Sequence, residues 1–316
     1  MRRRVIFAVA ALTLWVAGTV AGSLGPAAPT AAEALPRFVI GKAHAGFTPE
    51  LGGDEPVFIL ALGSDSREGT PVERGLSDSI HIIAVNQERH RVSILGFPRD
   101  SYVAIPGHGS NKINGAMPLG GPALTVQTVE ALTGIRFDYY VLTSFEGVTA
   151  AVDDIGGLTI DVPFPMFDTY SHSNFNAGVQ TLSGRNTLAF ARDRHSLVSG
   201  DFGRSENQGR VLIAALTQLR KQYAKDPTVL FDYIGAGLRN VQTDLSTQET
   251  LDFAFMALSI NPTHVQNMVA PGTLGTVGTM STVNLLSSNS ALYKDLATDG
   301  IVSERNVPKS PTAGQT

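Results

Sequence analysis

The sequence predicts an α/β protein in which helices pack in layers on a mixed β-sheet. Three observations predict this fold: a continuous apolar run of strand length, two β-rich runs joined by a short polar turn, and helical patterns that alternate with short strands along the rest of the chain. Alternating strands and helices are typical of helical layers on a sheet, and a hairpin makes that sheet mixed. The 316 residues, 43% of them hydrophobic, suffice to bury a substantial core.

The N-terminal segment predicts a membrane anchor. Three arginines precede residues 5–24, an uncharged and mostly apolar run of about 20 residues, which is long enough to span a bilayer core. The arginines predict a cytoplasmic N-terminus, so residues 1–24 are predicted as a single-pass transmembrane helix of the cell membrane, with the rest of the chain extracytoplasmic. A cleaved signal peptide, cut after the small residues at 32–34, is the alternative. Residues 25–55, rich in Ala, Gly and Pro, are predicted as a spacer.

The first strands form the framework of the predicted sheet. Residues 57–62 are a continuous apolar run that ends at Gly63, as expected of a buried central strand. Residues 79–86 and 92–97 are β-rich and flank a polar turn, which predicts a hairpin. The remaining predicted elements are helices over residues 121–134, 145–155, 184–190, 204–223 and 247–259, strands over residues 139–142, 158–162 and 265–270, a loop over residues 164–177, and a disordered tail over residues 301–316.

The predicted hairpin brings two opposite charges together. If Asn86 pairs with Arg91 across the turn, the register runs back until Asp78 lies opposite Arg99 at the open end. The two side chains would become neighbours although they are far apart in sequence. An ordinary surface salt bridge is the alternative interpretation of this pair.

The end of the first strand is a further candidate site. Asp65 and Arg67 come directly after residues 57–62, and ligands commonly bind beyond the carboxyl ends of strands in α/β sheets. A Gly-Ser-Asp-Ser turn is also an ordinary way to leave a strand, so a plain turn is the alternative.

Residues 191–208 bring together three arginines and three carboxylates in a chain that is otherwise sparingly charged. Guanidinium groups suit phosphate because each offers paired donors and keeps its charge at any working pH. Arg192 and Arg194 lie on one face if this stretch is extended and on opposite faces if it is helical. An anion clamp requires the extended form, which we therefore expect.

The start of the long helix extends this candidate phosphate site. Asp201 is predicted as the N-cap, which places Arg204 in the first turn. Because a helix start carries partial positive charge, an arginine there makes sense if an anion binds it. Gln208 follows four residues later and projects from the same face. A solvated helix end is the alternative.

Several other functions are excluded or disfavoured. The chain has no cysteine, so disulfides and thiolate metal sites are excluded. It contains no P-loop, zinc-protease or nucleophile-elbow motif. The net charge of −4 argues against a nucleic-acid partner, which requires a broad basic surface. His195 is interpreted as a bystander or hydrogen-bond partner rather than a metal ligand.

Taken together, the ordered motifs resemble the LytR-CpsA-Psr family of bacterial cell-envelope phosphotransferases. The resemblance runs from about Pro56 to beyond Gln208 and more loosely to about residue 300, which sets a catalytic domain at residues 56–300. The motifs that carry it are Gly63-Ser64-Asp65-Ser66-Arg67, Ser77-Asp78-Ser79, Pro98-Arg99-Asp100, Lys112-Ile113-Asn114, Phe137-Asp138-Tyr139-Tyr140, Ile155-Gly156-Gly157, Arg192-Asp193-Arg194-His195 and Gly200-Asp201-Phe202-Gly203-Arg204.

The resemblance implies a three-layer α-β-α sandwich with a central mixed β-sheet and a groove for an isoprenoid chain. It also implies a membrane-anchored, extracytoplasmic enzyme that moves a glycopolymer from a polyprenyl-pyrophosphate carrier to a peptidoglycan hydroxyl. A binding protein for polyprenyl pyrophosphate without turnover, and a pyrophosphatase that uses water, are the alternatives.

The same resemblance implies a role for each candidate residue. Asp65 and Asp78 would hold Mg²⁺ or Mn²⁺, since these ions prefer oxygen ligands. The proton acceptor for the attacking hydroxyl is left open between Asp201 and Asp100. The implied catalytic residues are Arg99, Asp201 and Arg204, and the implied pyrophosphate ligands are Arg67, Arg74, Lys112, Arg192, Arg194 and Gln208.

Overall fold

A seven-stranded mixed sheet organises the computed structural model, which describes residues 37–45, 51–67, 69–238 and 241–312. The strands are β1 (Phe38–Lys42), β2 (Val57–Ser64), β3 (Ser77–Asn86), β4 (Arg91–Gly96), β5 (Tyr102–Ile105), β6 (Gly109–Lys112), β7 (Tyr139–Ser144), β8 (Leu158–Val162), β9 (Met166–Asp168), β10 (Ser173–Phe175), β11 (Gly178–Leu182), β12 (Val241–Thr243), β13 (Val265–Val269), β14 (Gly272–Val277) and β15 (Met280–Leu285). The α-helices are α1 (Ala116–Thr133), α2 (Phe145–Asp154), α3 (Gly184–Arg192), α4 (Asp201–Tyr223), α5 (Val229–Leu238), α6 (Thr247–Ser259) and α7 (Asn289–Asp299).

The order of strands across the sheet is β12-β1-β7-β2-β3-β4-β13. β1 and β7, β2 and β3, and β3 and β4 pair antiparallel, whereas β1 and β12, β2 and β7, and β4 and β13 pair parallel. The predicted mixed sheet is therefore confirmed.

Helices cover both faces of the sheet. Alternate side chains of β2 point to opposite sides, and each set packs against a different pair of helices. Leu60 and Leu62 pack in a cluster with side chains of α1 and α7. Val57 and Ile59 pack in a second cluster with side chains of α4 and α6. A strand buried on both faces is continuously apolar, which explains the run that predicted β2.

The hairpin of β3 and β4 has the predicted register. Asn86 pairs with Arg91, and His81 pairs with Gly96. At the open end, β3 shifts register against β2 between Gly63 and Ser64, which is a bulge-like irregularity. The sheet thus delivers the residues just beyond this hairpin to the edge where β2 also ends.

Three predicted boundaries were wrong. The predicted spacer 25–55 contains β1, which pairs with both β7 and β12, so the folded domain begins before residue 56. The predicted loop 164–177 contains the antiparallel pair β9 and β10. The predicted helix 121–134 is the second part of α1, which begins at Ala116 and passes a kink at Gly120 and Gly121.

The C-terminal segment is the fourth difference. Residues 301–312 of the predicted disordered tail are hydrogen-bonded to the fold: Ser303 and Asn306 donate to Asp295 of α7, and Ser310 and Thr312 donate to the buried Glu206 carboxylate of α4. A buried carboxylate requires donors, and the tail supplies two hydroxyls.

No helix of the described ranges is long and apolar enough to cross a membrane. The predicted anchor at residues 1–24 and the alternative cleavage site at 32–34 lie outside the described residues.

Candidate active site

The start of α4 forms one wall of the candidate site. Gly200 is the N-cap, with a left-handed φ of 55° that glycine adopts without strain. The predicted N-cap, Asp201, is instead the first helical residue, so the prediction was wrong by one position. Arg204 lies in the first turn as predicted, only 5% exposed, and forms an ion pair with Asp201. Burial lowers the pKa of Arg204, and the charge of Asp201 opposes that effect.

The open end of the β3–β4 hairpin forms the facing wall. Arg99 Nη1 lies 2.5 Å from Asp78 Oδ1, and the Asp78 side chain is buried. Burial acts to lower the pKa of Arg99, but Asp78 and then Asp201 raise it further than burial lowers it. The bond from Gln208 of α4 to the Asp78 backbone oxygen joins the two walls. We call Asp78, Arg99, Asp201 and Arg204 the arginine site.

Gln208 ties the walls together. One turn along α4 from Arg204, its Nε2 atom donates to the backbone oxygens of Asp78 at 3.2 Å and Ala191 at 3.3 Å. The predicted shared face of Arg204 and Gln208 therefore points at the hairpin, and Gln208 holds β3 and α3 against α4.

Four buried polar atoms in and beside the arginine site have no hydrogen-bond partner within the described part of the chain: Ser77 Oγ, Arg99 Nε, Asp201 Oδ2 and Ser205 Oγ. An unpaired buried polar group costs about 1–3 kcal/mol, so such groups are rare in folded proteins and call for an explanation. Such atoms also occur elsewhere in the described chain, for example Thr187 Oγ1 and Tyr293 Oη, but these four lie beside two guanidinium groups, which suit an anionic ligand.

Lys112 lies beside the arginine site. Its Nζ atom is 2.9 Å from Asp100 Oδ1. The backbone of Asn114 donates to the Arg99 oxygen, and that of Ile113 donates to the Ser101 oxygen, so this turn is fixed to the Arg99 segment. Lys112, the predicted phosphate contact, is therefore held near the arginine site and forms an ion pair with Asp100.

Asp65 closes a loop. Its Oδ1 atom accepts from the Leu76 backbone at 2.7 Å, and its own backbone donates to the Leu76 oxygen at 3.0 Å. Arg67 and Arg74 lie on that loop, are exposed, and form no ion pair or side-chain hydrogen bond with other described residues. Asp65 therefore stabilises this loop, as the alternative interpretation of a plain turn expected. The structure shows no contact of the Arg67 or Arg74 side chain with the arginine site.

Arg192 and Arg194 do not share one extended segment. Arg192 is the last residue of α3, is exposed, and lies over the Phe145 ring with its Cζ atom 4.6 Å from the centroid. The backbone becomes extended only at Asp193, so the expected extended clamp was wrong. Arg194 is half-buried, and its charge contributes to lowering the pKa of Arg204, after burial and nearer charges.

A model of the LytR_cpsA_psr family matches residues 40–297. The chain belongs to this family. A polyisoprenyl-teichoic acid–peptidoglycan teichoic acid transferase, TagU of Oceanobacillus iheyensis, is 37% identical to it over 199 residues, which are 60% of this chain and 59% of that relative. The chain thus spans about three fifths of the length of that curated relative.

Solved structures show the same fold. TagV of B. subtilis has a TM-score of 0.64 at 24% identity, covering 78% of this family member and 98% of TagV. A LytR-CPS2A-psr family protein, YwtF (TagT), with bound octaprenyl pyrophosphate lipid has a TM-score of 0.60 at 21% identity, covering 82% of this chain and 94% of that one. At these identities the likeness concerns the fold alone.

The donor atoms fit a divalent cation only with help from a ligand. Among the described residues, no three His, Asp or Glu side chains are grouped to hold a metal. Asp65 and Asp78 each engage Oδ1 with the protein, and Asp201 Oδ2 is unpaired. Mg²⁺ commonly binds through one or two carboxylates plus substrate phosphates rather than in an all-protein cage. This donor set suits that arrangement.

Sequence reasoning missed the buried histidine beneath the site. His81 Nε2 lies 3.0 Å from the Ser205 backbone oxygen, and Nδ1 lies 3.1 Å from Ser79 Oγ. Burial lowers the pKa of His81 to about 4, although the Ser205 bond acts to raise it. The neutral ring therefore donates to the first turn of α4 and accepts from Ser79. The one signal in the sequence that could have indicated a buried histidine is its position between the apolar residues Ile80 and Ile82 of a predicted strand.

Proposed function

We propose that this protein is a phosphotransferase that moves a glycopolymer from a polyprenyl-pyrophosphate carrier to a peptidoglycan hydroxyl. The observation that supports this most is the arginine site, where two guanidinium groups held by carboxylates lie among buried polar atoms that no described residue pairs. Membership of the LytR_cpsA_psr family and the name of the TagU relative support the same reaction class.

Arg99 and Arg204 would bind the pyrophosphate oxygens. Asp78 and Asp201 fix the orientation of these guanidinium groups through the ion pairs, which preorganises donors for the charge of the transition state. Lys112 and Arg194 would add positive charge at the rim. In phosphoryl transfer, positioning and neutralisation of charge supply most of the catalysis. The attacking oxygen would come from the hydroxyl group of the acceptor.

We further propose that Asp65 and Asp78 hold Mg²⁺ or Mn²⁺ together with the pyrophosphate. The bound ion would neutralise phosphate charge. The support is the chemistry of the oxygen donors: Asp65 directly follows β2, and Asp78 lies at the start of the neighbouring antiparallel strand β3.

The direct test measures transfer of a labelled lipid-linked polymer to soluble peptidoglycan fragments. Arg99→Ala should lower the rate by about 100-fold or more, since it removes a charge that faces the transition state. Arg185→Ala is the matched control, because Arg185 is exposed on α3, and it should keep the wild-type rate. Equal rates in both variants would contradict the assignment.

Two measurements separate the alternatives. Binding of lipid pyrophosphate by the wild type without transfer would identify a binding protein. Release of phosphate or free polymer in the absence of acceptor would identify a pyrophosphatase. Chelation by EDTA, followed by readdition of Mg²⁺, tests the metal.

The membrane location also remains our proposal, supported by the apolar run of residues 5–24 after three arginines. The full chain should sediment with membranes and resist extraction by salt, because a run of about 20 apolar residues spans a bilayer. Release by high salt alone would contradict a spanning anchor.

A further inference from the structure

The β9–β10 hairpin carries an exposed aromatic ring that lies beside a histidine from the segment after α3, and the proposed phosphate site uses neither. Tyr170, in the hairpin turn, is 76% exposed. Its ring centroid lies 4.6 Å from that of His195, whose side chain is 44% exposed. Both rings are therefore accessible from solvent, side by side.

A buried carboxylate orients the histidine. Asp168 Oδ2 lies 3.0 Å from His195 Nδ1, and Asp168 Oδ1 accepts from the Tyr170 backbone at 2.8 Å. Burial acts to raise the pKa of Asp168, but hydrogen bonds from His195, Tyr170 and Ser171 lower it to about 2. The ionised carboxylate can only accept, so Nδ1 donates and the neutral ring keeps its lone pair on Nε2. No described residue bonds to Nε2.

The hairpin is cross-linked to the segment that carries Arg194. Ser173 Oγ donates to the Asp193 carboxylate and accepts from the Asp168 backbone at 3.1 Å. Asp193 also accepts from the Ser196 backbone at 3.1 Å, and Ser196 Oγ accepts from the Phe167 backbone at 2.8 Å. We call these bonds, with the Asp168–His195 pair, the hairpin network. They fix the imidazole one residue from Arg194, whose charge is felt by Arg204.

Three carboxylates of the phosphate region each form an ion pair with a cationic side chain. Asp78 faces Arg99, Asp201 faces Arg204, and Asp100 faces Lys112. Imidazole suits proton transfer near neutral pH, and here it is held by a carboxylate with its second nitrogen exposed. The same arrangement activates hydroxyl groups in hydrolases.

Resting on the proposed function, we propose that Tyr170, His195 and Asp168 form the subsite for the acceptor sugar, in which His195 Nε2 takes the proton of the attacking hydroxyl. A neutral sugar ring suits the open face of Tyr170, whereas the charged donor suits the arginines. Asp168 is a positioning residue, because it acts through His195.

The step balances without a further reactant. The acceptor oxygen forms a bond to the phosphorus that carries the donor sugar, and the bridging P–O bond to the carrier phosphate breaks. The electron pair of that bond leaves with polyprenyl phosphate. The hydroxyl proton moves to Nε2 and is then released to the leaving phosphate or to water.

The test compares His195→Gln with the wild type in donor binding and in transfer, using a fluorescent polyprenyl pyrophosphate and a soluble peptidoglycan fragment. Gln can hydrogen-bond to Asp168 but cannot take up the proton, so kcat/KM for the acceptor should fall about 100-fold or more. Donor binding should stay unchanged. His172→Asn, on the same hairpin at a left-handed φ of 63° that Asn tolerates, is the control and should behave as wild type.

Two further variants separate chemistry from structure. Tyr170→Ala, at an exposed position, should raise KM for the acceptor with kcat largely kept, which indicates lost binding in both ground and transition states. Asp168→Asn should lower kcat and shift the acidic limb of the pH–rate profile, because the ring loses its fixed tautomer. The charged or titratable groups around the imidazole are Asp168, Tyr170, Asp193 and Arg194.

The outcomes distinguish the two proposals. If the wild type transfers polymer and His195→Gln retains its rate and pH profile, the acceptor subsite is wrong and the proposed function stands. If His195→Gln instead weakens donor binding, the subsite belongs to the donor and our assignment fails. If the wild type binds donor and transfers nothing, both proposals fail.

Discussion

The arginine site and the hairpin network are connected through Asp193 and Arg194, but they differ in the bonding of their buried polar atoms. At the arginine site, Arg99 Nε and Asp201 Oδ2 lack hydrogen-bond partners in the described chain. In the hairpin network, Asp168 uses both carboxylate oxygens, and so does Asp193. Because burying an unpaired polar atom is costly and pairing it is not, the first region is suited to a ligand, whereas in the second region the buried carboxylates are already fully bonded.

The two neighbouring residues Asp193 and Arg194 belong to different regions. Asp193 is fully buried and bonded to the hairpin, whereas its neighbour Arg194 faces the charges of the arginine site. Preorganised donors lower the cost of reaching a transition state only if a rigid support holds them. The hairpin network supplies that support.

The largest loss of stability is expected when the arginine site itself is disrupted. Arg204→Met leaves the buried Asp201 carboxylate without its cation, so it should lower the free energy of unfolding by about 3 kcal/mol or more. The double variant Arg204→Met/Asp201→Ala removes both charges and should recover much of that loss. Urea denaturation of the two variants measures the difference. Equal stabilities would show that the ion pair is not what the fold depends on.

The second prediction separates the two regions by pH. His81 has a pKa of about 4 in the folded protein against about 6.5 when unfolded. Between these values the unfolded chain binds a proton that the folded protein does not, so stability falls as pH drops from about 6.5 to about 4, by about 3 kcal/mol in total. The lowered pKa of Asp168 acts later, with stability lost between about 3.8 and about 2.

Urea denaturation across this pH range checks the order of the two losses. In His81→Asn the loss between pH 6.5 and pH 4 should disappear, because Asn does not titrate there. A variant that kept the full loss would assign it to another group.

The sequence allowed prediction of those features that depend on local pattern. The register of the β3–β4 hairpin, and with it the meeting of Asp78 and Arg99, follows from a short turn between two alternating runs. The end of α1 at Gly134, with its left-handed φ of 72°, follows from glycine at a helix terminus.

The features that escaped prediction depend on tertiary contacts. Arg192 stays helical at the end of α3, where its guanidinium packs on the Phe145 ring of another helix. β1 lies in a segment of spacer-like composition and is a strand because β7 and β12 pair with it. The bonds that order Ser310 and Thr312 depend on a carboxylate about a hundred residues away. No local pattern encodes such contacts.

A pair of serine variants tests the comparison most directly. Ser173→Ala removes the hydroxyl between Asp193 and the Asp168 backbone, so it should lower the free energy of unfolding by about 2 kcal/mol. Ser205→Ala removes a buried hydroxyl that has no partner in the described chain, so its free energy of unfolding should stay within about 0.5 kcal/mol of wild type or rise.

Ligand binding should reverse the ranking of these two serines. Ser205→Ala should weaken binding of lipid pyrophosphate, and Ser173→Ala should not, as measured by fluorescence titration. If Ser205→Ala is the more destabilising variant, the unpaired hydroxyl has a structural role and the contrast between the regions fails.

The smallest loss of stability from removing a hydrogen bond is expected at Glu206 of α4. Glu206 follows Ser205, but its side chain is hydrogen-bonded, whereas the Ser205 hydroxyl has no partner in the described chain. The buried Glu206 carboxylate is bonded to Ser310, Thr312 and Arg210. Ser310→Ala removes one of these bonds and should lower the free energy of unfolding by about 1 kcal/mol, with transfer unchanged because Ser310 bonds to Glu206 and to no residue of the arginine site. Ser287→Ala, in an exposed turn, is the control and should have no effect. A fall in transfer rate at wild-type stability would instead show that the tail positions the first turn of α4 for catalysis.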